Sequence, residues 1–342
     1  MAIRINILSK AESVPGQGVG SASFEHNSLV HSSKELEVYI NEKGHDFDIF
    51  HIHSVHLENR LKMNKKHINV VDVHFLPRKN DGSVVLGKPA EWILVTYVED
   101  MYRKADEIVV VNPIFIPEIE KLGIPKDKIT YMPNFVDRDR FHKLSLEEKK
   151  KIREKYGLKE DTFIALGCGQ IQTRKGFEDF IEISKKCPDI QFVWAGGFSF
   201  GKITHGYKKF KQIVDNPPAN VRFLGIVDRE EMNDIYNMSD LLLLPSYMEL
   251  FPMTILEACN VGLPILVRDL ELYQPIIFDK YITGDTIDSF VNQIYTLQID
   301  KEYYKKASEN SDYIANFYSK EKVLKLWEDY YKRIYQKYHP NK

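Results

Sequence analysis

The chain has 342 residues, too many for one ordinary hydrophobic core, so two domains are expected. Apolar residues make up 43% and charged residues 28%, and 49 acidic side chains nearly cancel 47 basic ones. This balance excludes a disordered chain and leaves no global positive field to attract nucleic acid, so no nucleic-acid partner is expected.

The N-terminal MAIRINILSK lacks the apolar core of a signal peptide, and no apolar run reaches the ~20 residues that span a bilayer. Any membrane contact is therefore expected to be peripheral. Cys168, Cys187 and Cys259 are odd in number and lack metal-ligand spacing, which reads as reduced buried thiols in a cytosolic protein.

Ile3–Ser9 alternates like a strand and runs into Gly16-Gln-Gly18-Val-Gly20, with a helix expected over Ser21–Val30. Short apolar strands follow at Phe47–His53, Asn69–Phe75 and Glu107–Val111, with a helix at Ala90–Lys104. A polar Lys- and Glu-rich stretch, Lys143–Lys159, reads as a linker helix. A second series then places strands at Phe163–Gly167, Gln191–Ala195, Val221–Leu224, Leu241–Leu244 and Pro264–Val267, with a helix at Phe177–Lys186. Continuous apolar runs of this length suit strands buried on both faces of parallel sheets. The expected architecture is α/β: two facing Rossmann-like domains, residues 1–142 and 143–319, with a cleft between them. The aromatic helix Lys320–Tyr338, within 320–342, is expected to pack back on the first domain.

The most informative segment is Pro245-Ser-Tyr-Met-Glu249-Leu-Phe251-Pro-Met253-Thr254-Ile255-Leu-Glu257-Ala. An apolar strand ends at Pro245, and a helix starting near Pro252 turns the N–H groups of Met253, Thr254 and Ile255 outward, a ready site for a diphosphate. Glu257 lies one turn inside among apolar residues, where a carboxylate needs donors such as a ribose diol. Upstream, Gly167-Cys-Gly169-Gln170-Ile-Gln-Thr-Arg174-Lys175-Gly176 ends another strand and places two cations before a helix, where they can neutralise a leaving diphosphate.

The Glu249…Glu257 pair in this context resembles the E-x7-E signature of family-four retaining glycosyltransferases with the GT-B fold. The resemblance implies that Glu249 contacts donor-sugar hydroxyls, Glu257 holds the ribose, and Phe251–Ile255 forms the phosphate-facing turn. The family's G-R-L-x-x-x-K-G pattern matches at Lys175, while Gln170 stands where arginine is usual and Arg174 is expected to compensate. Met132-Pro-Asn-Phe-Val-Asp137 with Phe141, Trp194-Ala-Gly-Gly197 and Leu224-Gly-Ile226-Val227 resemble further family motifs. Gly197 then lies at a strand end facing donor, and the backbone of Ile226 reads the base. In the first half, Gly16 and Gly18 face acceptor and phosphate, and His74 matches the histidine near the reacting sugar.

The G-x-G-x-G loop is not the dinucleotide fingerprint, so no nicotinamide cofactor is expected. His51, His53 and His56 have a spacing that suggests zinc, but no further ligand is evident in the sequence, so no metal and no cofactor are expected. The variant motifs around Gln170, Trp194, His74 with Asp81–Ser83, and Arg268–Tyr273 resemble bacterial diglycosyl-diacylglycerol synthases. That resemblance implies transfer of a hexose from UDP-glucose or UDP-galactose to a glycolipid acceptor, monoglycosyl-diacylglycerol, giving an α-linked product. The basic segment Arg60, Lys62, Lys65 and Lys66, interleaved with Leu61 and Met63, is the expected contact with an anionic membrane surface, at about 1 kcal/mol per basic residue. The expected location is cytoplasmic, attached to the inner face of the cell membrane. Synthesis of a polysaccharide or other glycan, and a catalytically silent sugar-nucleotide-binding subunit, stay open as alternatives.

Overall fold

A computed structural model describes residues 2–10, 18–74, 76, 88–199, 201 and 204–340. They divide into two compact units: one from residues up to 76, 88–135 and Tyr318 onward, the other from Val136–Phe317.

The first unit carries a parallel sheet of β1 (Ile3–Leu8), β2 (Leu36–Ile40), β3 (Ile49–Ile52), β4 (Ile68–Val73), β5 (Glu107–Val110) and β6 (Ile129–Tyr131), in the order β2-β1-β3-β4-β5-β6. The helices of this unit are α1 (Gly18–His31), α2 (Leu57–Lys62), α3 (Lys88–Lys104), α4 (Ile116–Glu120) and, after the second unit, α13 (Lys320–Tyr338). Every residue of β3, β4 and β5 is buried, as continuous apolar strands covered on both faces must be. The edge strand β2 is exposed at Glu37 and Ile40, and its weaker pattern hid it in the sequence. The helix α13 packs on α1, β1 and β4 and buries Val323, Trp327, Tyr330, Tyr331 and Ile334. It also brings Lys337 Nζ to 2.8 Å and the Tyr338 hydroxyl to 3.1 Å from Glu107 Oε1, which satisfies a buried carboxylate at the start of β5.

The second unit holds β7 (Ile164–Cys168), β8 (Gln191–Ala195), β9 (Val221–Gly225), β10 (Leu241–Leu244), β11 (Ile265–Arg268) and β12 (Ile282–Gly284), all parallel in the order β12-β11-β10-β7-β8-β9. Around it run α5 (Leu146–Lys155), α6 (Phe177–Lys186), α7 (Tyr207–Asp215), α8 (Met232–Met238), α9 (Met253–Asn260), α10 (Gln274–Ile277), α11 (Ile287–Ile299) and α12 (Lys301–Phe317). The core of this unit is strongly aromatic: Trp194 meets Phe177 and Phe180 edge-to-face, and burial contributes roughly 2–3 kcal/mol per ring. The stretch expected to be a linker helix is instead α5, a member of this unit. A Ser145–Glu148 capping box starts it, Ile152 is buried, and Arg153 donates to Met238 O at 2.9 Å and Asp240 Oδ2 at 2.8 Å.

Strand order reverses between β10 and β7 in the second sheet and between β1 and β3 in the first. Open α/β sheets bind ligands outside the carboxyl ends of strands at such switch points.

Candidate active site

In the second unit the residues singled out in the sequence gather at the carboxyl ends of neighbouring strands. Gln170 follows β7, Gly197 follows β8, Ile226 follows β9, and Glu249 follows β10. Close backbone packing holds these ends together. Gly196 has φ +139°, and a Cβ there would lie 1.9 Å from Gly169 O. Gly176 has φ +67°, and a Cβ there would lie 2.1 Å from Pro245 O, so the turn before α6 reaches the end of β10 where no larger side chain fits. Gly197 sits against Ile226, which is about half exposed.

The single turn Thr173–Lys175 leads through Gly176 into α6 and delivers Lys175 Nζ to 2.6 Å from Glu249 Oε1 and 2.9 Å from Oε2. Arg174 Nη1 donates to Met248 O at 3.0 Å and lies 3.9 Å from Glu249 Oε2. Burial depresses the Lys175 ammonium below its ordinary pKa, with Arg174 adding to that effect and Glu249 opposing it. Burial pushes the Glu249 carboxyl up, but Lys175 and Arg174 outweigh it and hold the group below the usual carboxylate value. The pair is therefore an ionised acid and a cation at the β7/β10 switch point. Gln170 is half-buried and accepts from Gln172 Nε2.

Helix α9 begins at Met253 after an extended Pro252, and no side chain caps it. The expectation that Met253, Thr254 and Ile255 all present free N–H groups is corrected for Ile255, whose N–H bonds Pro252 O at 3.2 Å. Phe251, Met253 and Ile255 are buried and Thr254 half-buried, so this turn meets a ligand chiefly through its backbone. One turn further, Glu257 is buried between two donors that the sequence did not reveal: Arg229 Nη1 at 3.0 Å and the Tyr236 hydroxyl at 2.6 Å. Both come from the β9–α8 region, far from Glu257 in the chain. A carboxylate has about four acceptor sites, so two remain for other hydroxyls.

In the first unit Gly18 is the exposed first residue of α1, while Gly16 and Asp81–Ser83 lie outside the described residues. His74 follows β4 and lines a cavity with His26, His53, Asp72, Asn134 and Trp327. His51 and His53 are joined by His26 from α1 and Asp72 from β4 rather than by His56, ligand-type side chains that were not evident in the sequence. His26, His51 and His53 place ligand-type atoms within 4.8 Å of one another, as do His53, Asp72 and His74. Among the four basic residues expected at a membrane, Arg60 is engaged. Its guanidinium donates twice to Asp100 Oδ2, at 2.8 and 3.2 Å, tying α2 to α3. Lys62 lies 3.5 Å from Glu58, and Lys65 and Lys66 are exposed. Cys168, Cys187 and Cys259 are buried and free. No helix among the described residues is long and apolar enough to cross a membrane.

Two sheets of this kind, each carrying polar groups at its switch point, define a GT-B glycosyltransferase, and comparison with known proteins agrees. The family model "Glycosyltransferase Family 4" matches residues 27–140 and "Glycosyl transferases group 1" matches residues 148–312. The chain belongs to this family of glycosyltransferases. It is 40% identical over 335 residues to the alpha-galactosylglucosyldiacylglycerol synthase of Streptococcus pneumoniae, covering 97% of this chain and 90% of that protein. It is 25% identical over 263 residues to the processive diacylglycerol alpha-glucosyltransferase of Acholeplasma laidlawii, covering 77% of each. Its fold resembles Anabaena HepE, solved with UDP and glucose, with a TM-score of 0.77 at 14% identity over 96% of this chain and 99% of the other.

Proposed function

We propose that this glycosyltransferase moves glucose or galactose from its UDP-sugar to monoglycosyl-diacylglycerol, with retention, giving an α-linked diglycosyl lipid. One observation carries the donor assignment: the ion pair of Lys175 with the buried Glu249, at the β7/β10 switch point and followed by the uncapped start of α9. The similarity to two diacylglycerol glycosyltransferases supports the acceptor.

In this reading the diphosphate lies on the α9 N-terminus with Lys175 and Arg174 beside it, the ribose meets Glu257, and the base stacks near Gly197 and Ile226. The bond from the anomeric carbon to the phosphate oxygen breaks, and its electron pair stays with UDP. The acceptor hydroxyl attacks the same face, and its proton passes to the departing phosphate oxygen. Glu249 contacts hydroxyls of the donor hexose, and His74, by the family resemblance, is assigned a sugar hydroxyl. Fixed cations and amides of this kind are worth about 10²–10³ in rate for each well-placed donor. Neither a metal nor another cofactor is part of the scheme.

Contact with an anionic membrane surface falls to the first unit. There Leu57 and Leu61 on α2 and Trp92 and Ile93 on α3 are more than half exposed, and Lys65 and Lys66 follow α2. Apolar anchors flanked by lysines suit an interfacial, peripheral location at the cytoplasmic face.

The test is incubation of the purified chain with UDP-glucose and UDP-galactose, each against monoglucosyl-diacylglycerol in mixed micelles, with the new linkage read by proton NMR. One donor should yield an α-linked diglycosyl lipid. No lipid product from either donor, or a β linkage, refutes the proposal.

A further inference from the structure

Beneath His74 lies a group of buried polar side chains larger than a sugar contact requires. His51 Nε2 lies 2.8 Å from Asp72 Oδ1, and His53 Nδ1 lies 2.8 Å from Asp72 Oδ2. His53 Nε2 is 2.9 Å from His26 Nδ1, and the Tyr331 hydroxyl of α13 is 2.5 Å from His51 Nδ1 and 3.2 Å from His26 Nε2. His74 Nε2 faces the same carboxylate, 3.5 Å from Asp72 Oδ2 and 3.3 Å from His53 Nδ1. His26, His51, His53 and Asp72 are buried, whereas the His74 side chain keeps 11% exposure on the cavity wall.

The protonation pattern follows from which groups can only accept. Burial pushes the Asp72 carboxyl up, but His51 and His53 outweigh it and keep it well below the ordinary value, so it is ionised and purely an acceptor. Burial raises the Tyr331 hydroxyl well above its ordinary value, so it keeps its proton and donates to His51 Nδ1. His51 Nε2–H and His53 Nδ1–H then both donate to Asp72, one to each oxygen. His53 Nδ1–H is committed to Asp72 Oδ2, so His74 Nε2 meets a negatively charged oxygen with room for another donor. That setting favours a proton on Nε2 and leaves Nδ1 bare.

We propose that Asp72, braced by His51 and His53, is a positioning residue that holds His74 as its Nε2–H tautomer, so that Nδ1 accepts a hydrogen bond from a sugar hydroxyl in the active site. The proposal rests on the reading of His74 as a sugar contact. It specifies what that reading left open, the direction of the hydrogen bond, and it gives the buried cluster a part in turnover beyond tying α13 to the sheet.

The experiment uses the full chain labelled with ¹⁵N-histidine, together with Asp72→Asn, His74→Ala and Tyr331→Phe. In the unaltered protein the His74 Nε2 resonance should be that of a protonated nitrogen and Nδ1 that of a bare one; the reverse overturns the proposal whether or not any variant folds. Asp72→Asn removes the negative charge that favours the His74 Nε2 proton and leaves one accepting oxygen where there were two, so it should shift the His74 tautomer population and lower kcat about 100-fold. Its UDP affinity by calorimetry should stay within threefold, because the donor groups lie in the other unit. Tyr331→Phe removes the donor to His51 Nδ1 and should lower the unfolding midpoint.

If His74→Ala keeps full turnover, the sugar contact itself is wrong and the proposal goes with it. If His74→Ala is inactive while Asp72→Asn keeps both turnover and tautomer, only the positioning role is overturned. About one equivalent of a transition metal in the purified protein, lost in Asp72→Asn, would overturn it in favour of a His53–Asp72–His74 metal centre.

Discussion

Replacing Lys175 by alanine separates the chemistry of the proposed donor site from its contribution to folding. Removing one partner of a fully buried ion pair costs about 3–5 kcal/mol. Lys175 retains 17% side-chain exposure, and Arg174 stays 3.9 Å from Glu249, so the stranded carboxylate keeps some water and one cation. The expected loss is about 2 kcal/mol, well inside the roughly 5–15 kcal/mol that hold a domain together. A group that meets the departing phosphate is worth about 10²–10³ in kcat, or roughly 2.7–4 kcal/mol. The rate cost therefore exceeds the folding cost. Urea unfolding measures the first quantity, and initial rates at saturating donor in mixed micelles measure the second. A folded Lys175→Ala protein with kcat within threefold of normal would refute the phosphate role. A loss of 4 kcal/mol or more in stability with proportionate loss of active fraction would show that the pair is structural.

Other consequences follow from the same geometry. Burial lowers the His26 and His51 pKa values, so between pH 6.5 and the depressed folded values the unfolded chain binds protons that the folded chain refuses. Stability is complete above about pH 6.5 and falls below it, by up to about 3 kcal/mol per pH unit for two such groups; a flat urea midpoint from pH 6.5 to 5 would contradict this. Tyr236→Phe removes the 2.6 Å donor to Glu257, which should cost about 1–2 kcal/mol of stability and raise KM for the UDP-sugar several-fold. An unchanged KM would separate Glu257 from the nucleotide. Gly196→Ala forces a Cβ to 1.9 Å from Gly169 O at φ +139°, so it should cost roughly 3 kcal/mol or more and weaken UDP binding, both measurable by thermal shift with and without UDP. Trp92→Ser with Ile93→Ser should reduce binding to vesicles containing phosphatidylglycerol while leaving activity in detergent micelles intact; equal vesicle binding would remove α3 from the membrane face.

The sequence made the interior strands easy to find, while of the edge strands only β9 was read. Runs such as Leu241–Leu244 and Gln191–Ala195 are buried on both faces and carry their own signature, and both match the observed limits. Strands β2, β6 and β12 lie at sheet edges or span three residues, so they are short or half-polar and were missed. In the site, Lys175 and Glu249 stood out because each lies between a strand end and a helix start, and Glu257 because it is a carboxylate among apolar residues one turn inside α9. Arg229, Tyr236, Asp72 and His26 did not. Each reaches its partner only through the fold, as Tyr236 does in crossing from α8 to Glu257 on α9. The same limit explains Arg60, read as a free cation but claimed by Asp100, forty residues onward. Gln170, an expected weak point for phosphate binding, has Arg174 nearby at the same strand end, although Arg174 is held by Met248 O.

A crystal structure of the protein with UDP tests the account most directly. The diphosphate should lie at the first turn of α9 within hydrogen-bond distance of Lys175, with the ribose on Glu257 and the uracil beside Gly197 and Ile226. UDP bound elsewhere, with the space between Lys175 and the start of α9 filled only by solvent, would contradict the donor assignment and the mechanism built on it.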